Sequence, residues 1–559
     1  MSGIRKRILI VGGGAVGPKV ASRARRLDPE ADIKIVESGK YVSYGACGMP
    51  YYVSGDIKNA DELVVRTPEY FKKLLDVDVL LETTATSVDR TARTVLCRDA
   101  TGREFTLPYD ALVLAAGAQP AVPPLEGRDL SGVFKLKDIP DMLAISDYVK
   151  KEEPRKAAII GAGLIGLEMA EAFRAKGMGV TVVEMLNWPL PAMLDEEMAS
   201  LVSRQLDEQG VRLVLSQMAK RFDGTQGGRV KRLVTDSEAI DCDLALVSIG
   251  VRPETSLAVQ AGLEIGLTRA IAVNERLQTS DPAIYAGGDC VECRHLITGR
   301  PVFAPLGSTA NKHGRVIGTN VAGGSDTFAG VCGTAIAKVF DVAVGRTGLT
   351  EVEARQSGFD VVWSIVSQTD AANYYPGAKR ITLKLLADAK SGRVLGAQCV
   401  GRGEVAKRID VVAAAISGRM DVKALADLDL AYAPPFSPAM DAVHHAANVV
   451  RNKMDGTART VSPQELKKKM EGRSDVIVLD VRTDGEWKLS RIDHPSVMHV
   501  PIGKLAETDV GFCEGKEVVT QCLSSVRAYA AQKILEKKGC KDVKFLDGSL
   551  SAWPYGLKE

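Results

Sequence analysis

RILIVGGGAVGPKVASRARRL (7–27) and KAAIIGAGLIGLEMAEAFRAKG (156–177) are two versions of one design. Each begins with an apolar run of four or five residues, the length of a strand buried on both faces of a parallel sheet. Each run breaks into a glycine turn and continues as a helix. A second strand follows both times, IKIVE (33–37) and VTVVE (180–184). Gly12, Gly14 and Gly17, like Gly161, Gly163 and Gly166, stand in G-x-G-x-x-G spacing. Glycine there lets the backbone approach a pyrophosphate seated on the helix N-terminus, where free N–H groups and the dipole favour negative charge. Glu37 and Glu184 close the second strands, where a carboxylate accepts hydrogen bonds from ribose hydroxyls. A carboxylate at Glu184 also repels a 2′-phosphate, and Met185, Leu186 and Asn187 supply no arginine to offset it. Two such units predict an α/β chain that binds two dinucleotides.

The rest of the chain is built differently. Between about 331 and 450, strand-like stretches (TAIAKVF, VGRTGL, DVVWSIV, RITLKLL, VLGAQCV) precede the helical GEVAKRIDVVAAAIS, an α+β pattern without a dinucleotide turn. The polar RNKMDGTART (451–460) reads as a linker, and 461–559 as another α/β unit. The 559 residues suit three or four domains, with 45% hydrophobic and 25% charged residues giving ample core. A net charge of +2 argues against a nucleic-acid partner. Ten cysteines spread thinly read as separate reduced thiols. No apolar run reaches a membrane span and no signal peptide is evident, so a cytoplasmic protein is expected.

LVLAAGAQP (112–120) and IYAGGDC (284–290) both end an apolar strand in a small-residue turn. With the two glycine turns, in this order, residues 5 to about 450 resemble the flavoprotein disulfide reductases with two Rossmann-like domains. The resemblance implies FAD on Gly12, Gly14, Gly17, Glu37, Ser43, Gly117 and Asp289, the last holding the ribityl chain. It implies NADH, rather than NADPH, on Gly161, Gly163, Gly166 and Glu184. It lays the chain out as an FAD-binding domain in two parts (1–118 and 247–325), an NAD-binding domain (119–246) and a dimerisation domain (326–450) that makes a homodimer.

SYGACGMPYYVSG (43–55) carries Cys47 and no second thiol between 42 and 52. It resembles the single-cysteine branch of that family: coenzyme A disulfide reductases, NADH oxidases and persulfide reductases, whose thiolate attacks the substrate sulfur. A low-pKa thiolate is expected at Cys47. The Pro50–Tyr51 pair resembles the enzymes that use coenzyme A, although Ala46 stands where many have asparagine. Lys19, Arg23 and Arg66 are then the expected coenzyme A ligands, with coenzyme A itself as a candidate bound group. In ANYYPGA (372–378) and AYAPPFSP (431–438), Tyr374 and Tyr432 match tyrosines that a partner subunit brings to the cysteine, with Tyr375 in reserve.

VIVLDVRTDGEW (476–487), VVTQCLSSVRAYAAQKIL (518–535) and LDGSLSAW (546–553) resemble a rhodanese sulfurtransferase. Cys522 would head the persulfide loop, whose backbone N–H groups surround the sulfur, and Arg527 would pin it. Ser525 stands where a loop glycine is common. Cys290–Cys293 is read as part of the rigid turn after Asp289, not as a zinc or redox pair, and no metal is expected. His444 and His445 are read as packing, and the remaining cysteines as core residues.

The expected function is NADH-dependent reduction of persulfides, polysulfides or coenzyme A persulfide, with Cys522 delivering sulfane sulfur toward Cys47. The alternatives are a coenzyme A disulfide reductase, an NADH oxidase, and, outside enzymes, a sulfur carrier or redox sensor.

Overall fold

The computed structural model describes residues 5–472 and 475–558. They form two compact units, one of Met1–Met185 with Gln217–Val331 and one of Leu186–Ser216 with Cys332–Glu559.

In the first unit the strand Arg7–Val11 lies in a five-stranded parallel sheet. On one side it pairs in parallel with Asp32–Val36 and then Val77–Leu80; on the other with Ala111–Leu114 and then Ile284–Ala286. Ile8, Ile10, Ile33, Ile35 and Val113 are buried in its core, as continuous apolar runs require. The strand Lys156–Ile160 has the same central position, between Gly179–Val183 and Leu244–Val247. The helices Val16–Leu27 and Leu164–Ala175 leave the two glycine turns.

The second unit holds an antiparallel sheet in the order Ala335–Val339, Val342–Gly348, Val394–Gly401, Arg380–Asp388, Val361–Thr369. The helix Val405–Ser417 follows the strands, matching the α+β reading. Nearer the C-terminus a parallel sheet runs Thr460–Val461, Val543–Leu546, Glu517–Gln521, Val476–Asp480, Val497–His499.

Two readings of the sequence need correction. Half of the stretch 451–460 is regular structure: its first four residues complete the helix Ala442–Met454, and Thr460 opens a strand. Arg451 and Lys453 suit the last helical turn, where cations meet the negative end of the dipole. Leu186–Ser216 groups with the second unit. Its Asp195 carboxylate accepts hydrogen bonds from the Glu351 N–H and the Gln398 side chain, both in that unit. Finally, Cys513 and Cys540 are not separate thiols but a disulfide, with Cα atoms 5.6 Å apart. Their 27-residue separation carries no spacing signature.

The Lys384 side chain is fully buried, with Asp195, Glu351 and Glu197 carboxylates at 2.9, 3.0 and 3.3 Å from its Nζ. Burial works against the ammonium, but Glu197, Asp195 and Glu351 overcome it and hold its pKa above the ordinary lysine value. Removing one partner of a buried ionic cluster leaves the others uncompensated. Lys384→Met is therefore expected to destabilise this unit by about 3–5 kcal/mol, measured as a lower urea midpoint of its unfolding transition.

Candidate active site and sulfurtransferase loop

The two glycine turns have matching geometry. Gly12 and Gly161 have φ of +114° and +103°, and a Cβ there would lie 2.1 Å and 2.2 Å from the carbonyl oxygens of Ala115 and Ser248. Only glycine fits such a backbone. A Cβ at Gly17 or Gly166 would collide with the Gly12 or Gly161 carbonyl, so these two set the close helix-to-strand packing. A Cβ built on Gly14 or Gly163 would meet no other residue within 4 Å, which leaves open space at the start of each helix. The Glu37 carboxylate accepts from Gly13 N–H at 2.6 Å, and that of Glu184 from Ala162 N–H at 2.8 Å. The acids thus reach the turns from the ends of the neighbouring strands, and the turns fit a dinucleotide.

Asp289 follows Gly287 and Gly288 and is half-buried, which pushes its carboxyl up. The Gly288 N–H donates to Nδ1 of the buried His313. Cys290 and Cys293 are free thiols donating to carbonyl oxygens, Cys290 to Gly287 and Cys293 to Val302. Burial pushes both to about 11, as inert core thiols require.

Cys47 sits on a single helical turn, Ala46–Gly48, ahead of the helix Met49–Ser54, which packs on the helix Leu164–Ala175. Ser43, at φ +53°, ties this segment down: its N–H donates to the Gly13 carbonyl, and its own carbonyl accepts from the N–H groups of Val65 and Arg66. The turn, Cys47 and Arg66 segments are thereby joined. Arg66 lies over the Tyr70 ring at 5.1 Å. Lys19 and Arg23 lie one turn apart where their helix meets Gly307–Val321. Gly314 and Gly318 admit their stems, and Arg23 Nε donates to Thr319 Oγ1 at 3.1 Å.

The low-pKa thiolate expected at Cys47 is not what the protein groups provide. Cys47 is accessible, yet desolvation, together with the carboxylates of Glu168 and Asp289, pushes its thiol up. Glu168 was not anticipated, although it stands two residues after Gly166. Burial, with a smaller contribution from Glu171, raises it to about 7. A raised acid near a raised thiol can exchange a proton with it near neutrality.

In the second unit Tyr374 and Tyr432 are exposed, and the neighbouring Tyr432 pushes the Tyr374 hydroxyl up. Tyr375, Phe436 and Met440 are also exposed, so this face of the dimerisation segment is aromatic. His444 caps its own helix, accepting from Asp441 N–H at Nδ1, with Nε2 2.9 Å from the Leu428 carbonyl.

Cys522 directly follows the strand Glu517–Gln521 and is buried. Ser549 Oγ accepts from the N–H groups of Cys522 and Ser525 at 3.2 and 3.1 Å and lies 3.8 Å from the Cys522 sulfur. Ser525 takes the left-handed conformation, φ +69°, that a glycine would take there without strain. Its hydroxyl donates to the Leu546 carbonyl at 2.9 Å, which helps hold that backbone. Arg527 makes a bidentate pair with Glu486 at 2.7 Å per bond, and Glu486, with a smaller contribution from Cys522, holds its guanidinium pKa up. The Arg527 guanidinium holds Glu486 down to about 2. Glu486 and Ser549, neither singled out from sequence, thus complete the loop that Cys522 and Arg527 begin.

Two dinucleotide turns and one accessible cysteine beside the first define an oxidoreductase that couples nicotinamide and flavin dinucleotides to a thiol. The chain belongs to the pyridine nucleotide-disulphide oxidoreductase family, whose model matches residues 6–311. The dimerisation domain of that family matches 334–444, and a rhodanese-like domain matches 462–554. The NAD(P)H coenzyme A polysulfide/persulfide reductase of Pyrococcus horikoshii is 40% identical over 80% of this chain and 99% of its own. The solved NAD-dependent persulfide reductase from A. fulgidus is 45% identical with a TM-score of 0.93, covering 98% of this chain and 100% of that one. The reduced CoADR-RHD of Bacillus anthracis is 35% identical with a TM-score of 0.92, over 99% and 98% of the two chains.

Among the described residues no helix is long and apolar enough to cross a membrane, and no cluster of three or more His, Cys, Asp or Glu could hold a metal ion.

Because Glu168 helps keep Cys47 protonated, Glu168→Gln is expected to lower the Cys47 pKa. Iodoacetamide should then alkylate Cys47 about threefold faster at pH 8, and the midpoint of its rate–pH profile should move down.

Proposed function

We propose that this chain is an FAD-dependent NADH oxidoreductase that reduces persulfides and polysulfides, coenzyme A persulfide included. Its C-terminal sulfurtransferase domain delivers the sulfane sulfur. One observation carries the reading: a lone cysteine beside a dinucleotide turn shares its chain with a second cysteine held in a serine- and arginine-lined loop. A reductase of simple disulfides has no use for the second.

Gly12, Gly14, Gly17, Glu37, Ser43, Gly117 and Asp289 would hold FAD, and Gly161, Gly163, Gly166 and Glu184 would hold NADH. Bound there, the cofactors supply the electron pair that cleaves a disulfide at Cys47. Lys19, Arg23 and Arg66 bind the phosphates of coenzyme A. The Cys47 thiolate attacks the carbon-bound sulfur of the persulfide, forming a mixed disulfide and expelling hydrosulfide. Glu168 takes up the proton that Cys47 releases. Tyr374 and Tyr432 orient or protonate the departing sulfur from a second copy of the chain, and the exposed aromatic face around them supports a homodimer. Cys522 accepts sulfane sulfur, with Arg527 and the Ser549-held N–H groups stabilising the persulfide anion. A cytoplasmic location suits its use of NADH and free thiols.

The test is anaerobic NADH oxidation by wild type, Cys47→Ser and Cys522→Ser with coenzyme A persulfide, polysulfide and coenzyme A disulfide, scoring hydrosulfide. Turnover on the first two should vanish in Cys47→Ser, a loss of at least about 10³-fold, and drop severalfold in Cys522→Ser. Activity confined to the disulfide and indifferent to Cys522 would refute persulfide reduction.

A further inference from the structure

The Cys522 loop does not stand on the sulfurtransferase domain alone. Lys453, in the last turn of the dimerisation domain's final helix, reaches into the turn that carries Ser549. Its Nζ donates to Asp547 Oδ2 at 2.7 Å and to the Trp363 carbonyl at 2.5 Å, and lies 4.6 Å from the Trp363 ring centroid. The Asp547 side chain is fully buried. Burial pushes the Lys453 ammonium down and the Asp547 carboxyl up, so each needs the other to stay charged. The Asp547 N–H donates to the Val461 carbonyl. Gly548, at φ +67°, is pressed on the strand Val361–Thr369: a Cβ there would lie 2.8 Å from Ile365 Cγ2. The next residue is Ser549, whose hydroxyl holds the N–H groups of Cys522 and Ser525.

We propose that Lys453 and Asp547 are positioning residues for the sulfurtransferase site: their buried pair fixes the 547–549 turn, and through Ser549 it sets the Cys522 loop. The persulfide-carrying loop is thus shaped by the dimerisation domain, and its reactivity depends on the docking of the two domains. This rests on Cys522 as the sulfane acceptor.

A single Lys453→Met strands a buried carboxylate and can unfold the turn outright. The informative variants of the full chain are therefore Asp547→Asn, which keeps the shape without the charge, and Lys453→Met/Asp547→Asn, which removes both charges. Four readouts serve: thermal unfolding, peptide-resolved alkylation of Cys522 and of Cys47 by iodoacetamide, and sulfur transfer from thiosulfate to cyanide. The double variant should unfold within a few degrees of wild type, and Asp547→Asn, which leaves the Lys453 ammonium without its partner, at a lower temperature but still in one transition. Cys522 alkylation should change about tenfold and transferase kcat should fall about tenfold, with KM for thiosulfate and Cys47 alkylation unchanged. Lys453→Arg, which keeps the cation, should recover part of the kcat lost by Lys453→Met. Folded variants with wild-type Cys522 reactivity would overturn the positioning role, as would parallel changes at Cys47. A wild-type Cys522 that takes no sulfur from thiosulfate would instead overturn the acceptor reading, and the alkylation comparison still judges the positioning claim by itself.

Discussion

A charge taken out of water must meet its opposite at bonding distance or lose its ionisation. The second unit is organised round that constraint. Lys384 gathers Asp195, Glu197 and Glu351 from two separate stretches of chain, and its Nζ lies 4.7 Å from the Trp363 ring centroid. Lys453 lies over the same ring and continues the charge pairing to Asp547. Within the C-terminal domain, Arg527 meets Glu486, and the buried Arg482 meets Asp480. Such clusters add little net stability against an apolar core of equal volume. What they add is specificity, because a shifted register would leave a bare charge in the interior.

The region around Cys47 follows another logic. Glu168 and Asp289 are raised by burial, not lowered by a cation. Glu168, raised to about 7, can hold a proton close to neutrality, whereas a paired carboxylate does not. A thiol among them stays protonated until something of opposite charge arrives, which suits a nucleophile that must be protected between turnovers. Cys522 lies instead beside the Ser549 hydroxyl, in a loop whose N–H groups that hydroxyl holds, so the two cysteines have different surroundings.

What could be read along the chain was what is local. Apolar runs ending in glycine turns predicted both parallel sheets, because strand burial and left-handed glycine are written within thirty or so residues. The strands of the dimerisation domain and the Cys522–Arg527 loop were legible for the same reason. That Glu37 and Glu184 reach the glycine turns could be read because each closes a strand at a fixed offset from its turn. Glu168, Ser549 and the Lys384 cluster were not legible, since their roles arise from neighbours far away in sequence. Cys513 and Cys540 looked incidental because a strand and a helix of intervening chain bring them together. The misreading of 451–460 is the most instructive. Lys453 has the look of a solvated linker lysine, and only the placement of Asp547, 94 residues on, makes it an interior residue.

Between the end of the helix Ala442–Met454 and the strand opened by Thr460 there are only the residues 455–459. Fully stretched, five residues reach roughly 17 Å, less than the diameter of a folded domain of about 100 residues. A leash that short rules out a swinging-arm design in which the whole domain ferries cargo. On the role proposed for Cys522, sulfur leaving it would travel on something smaller than the domain, and the rate of that traffic would be set by the carrier's reach and not by the tether's length.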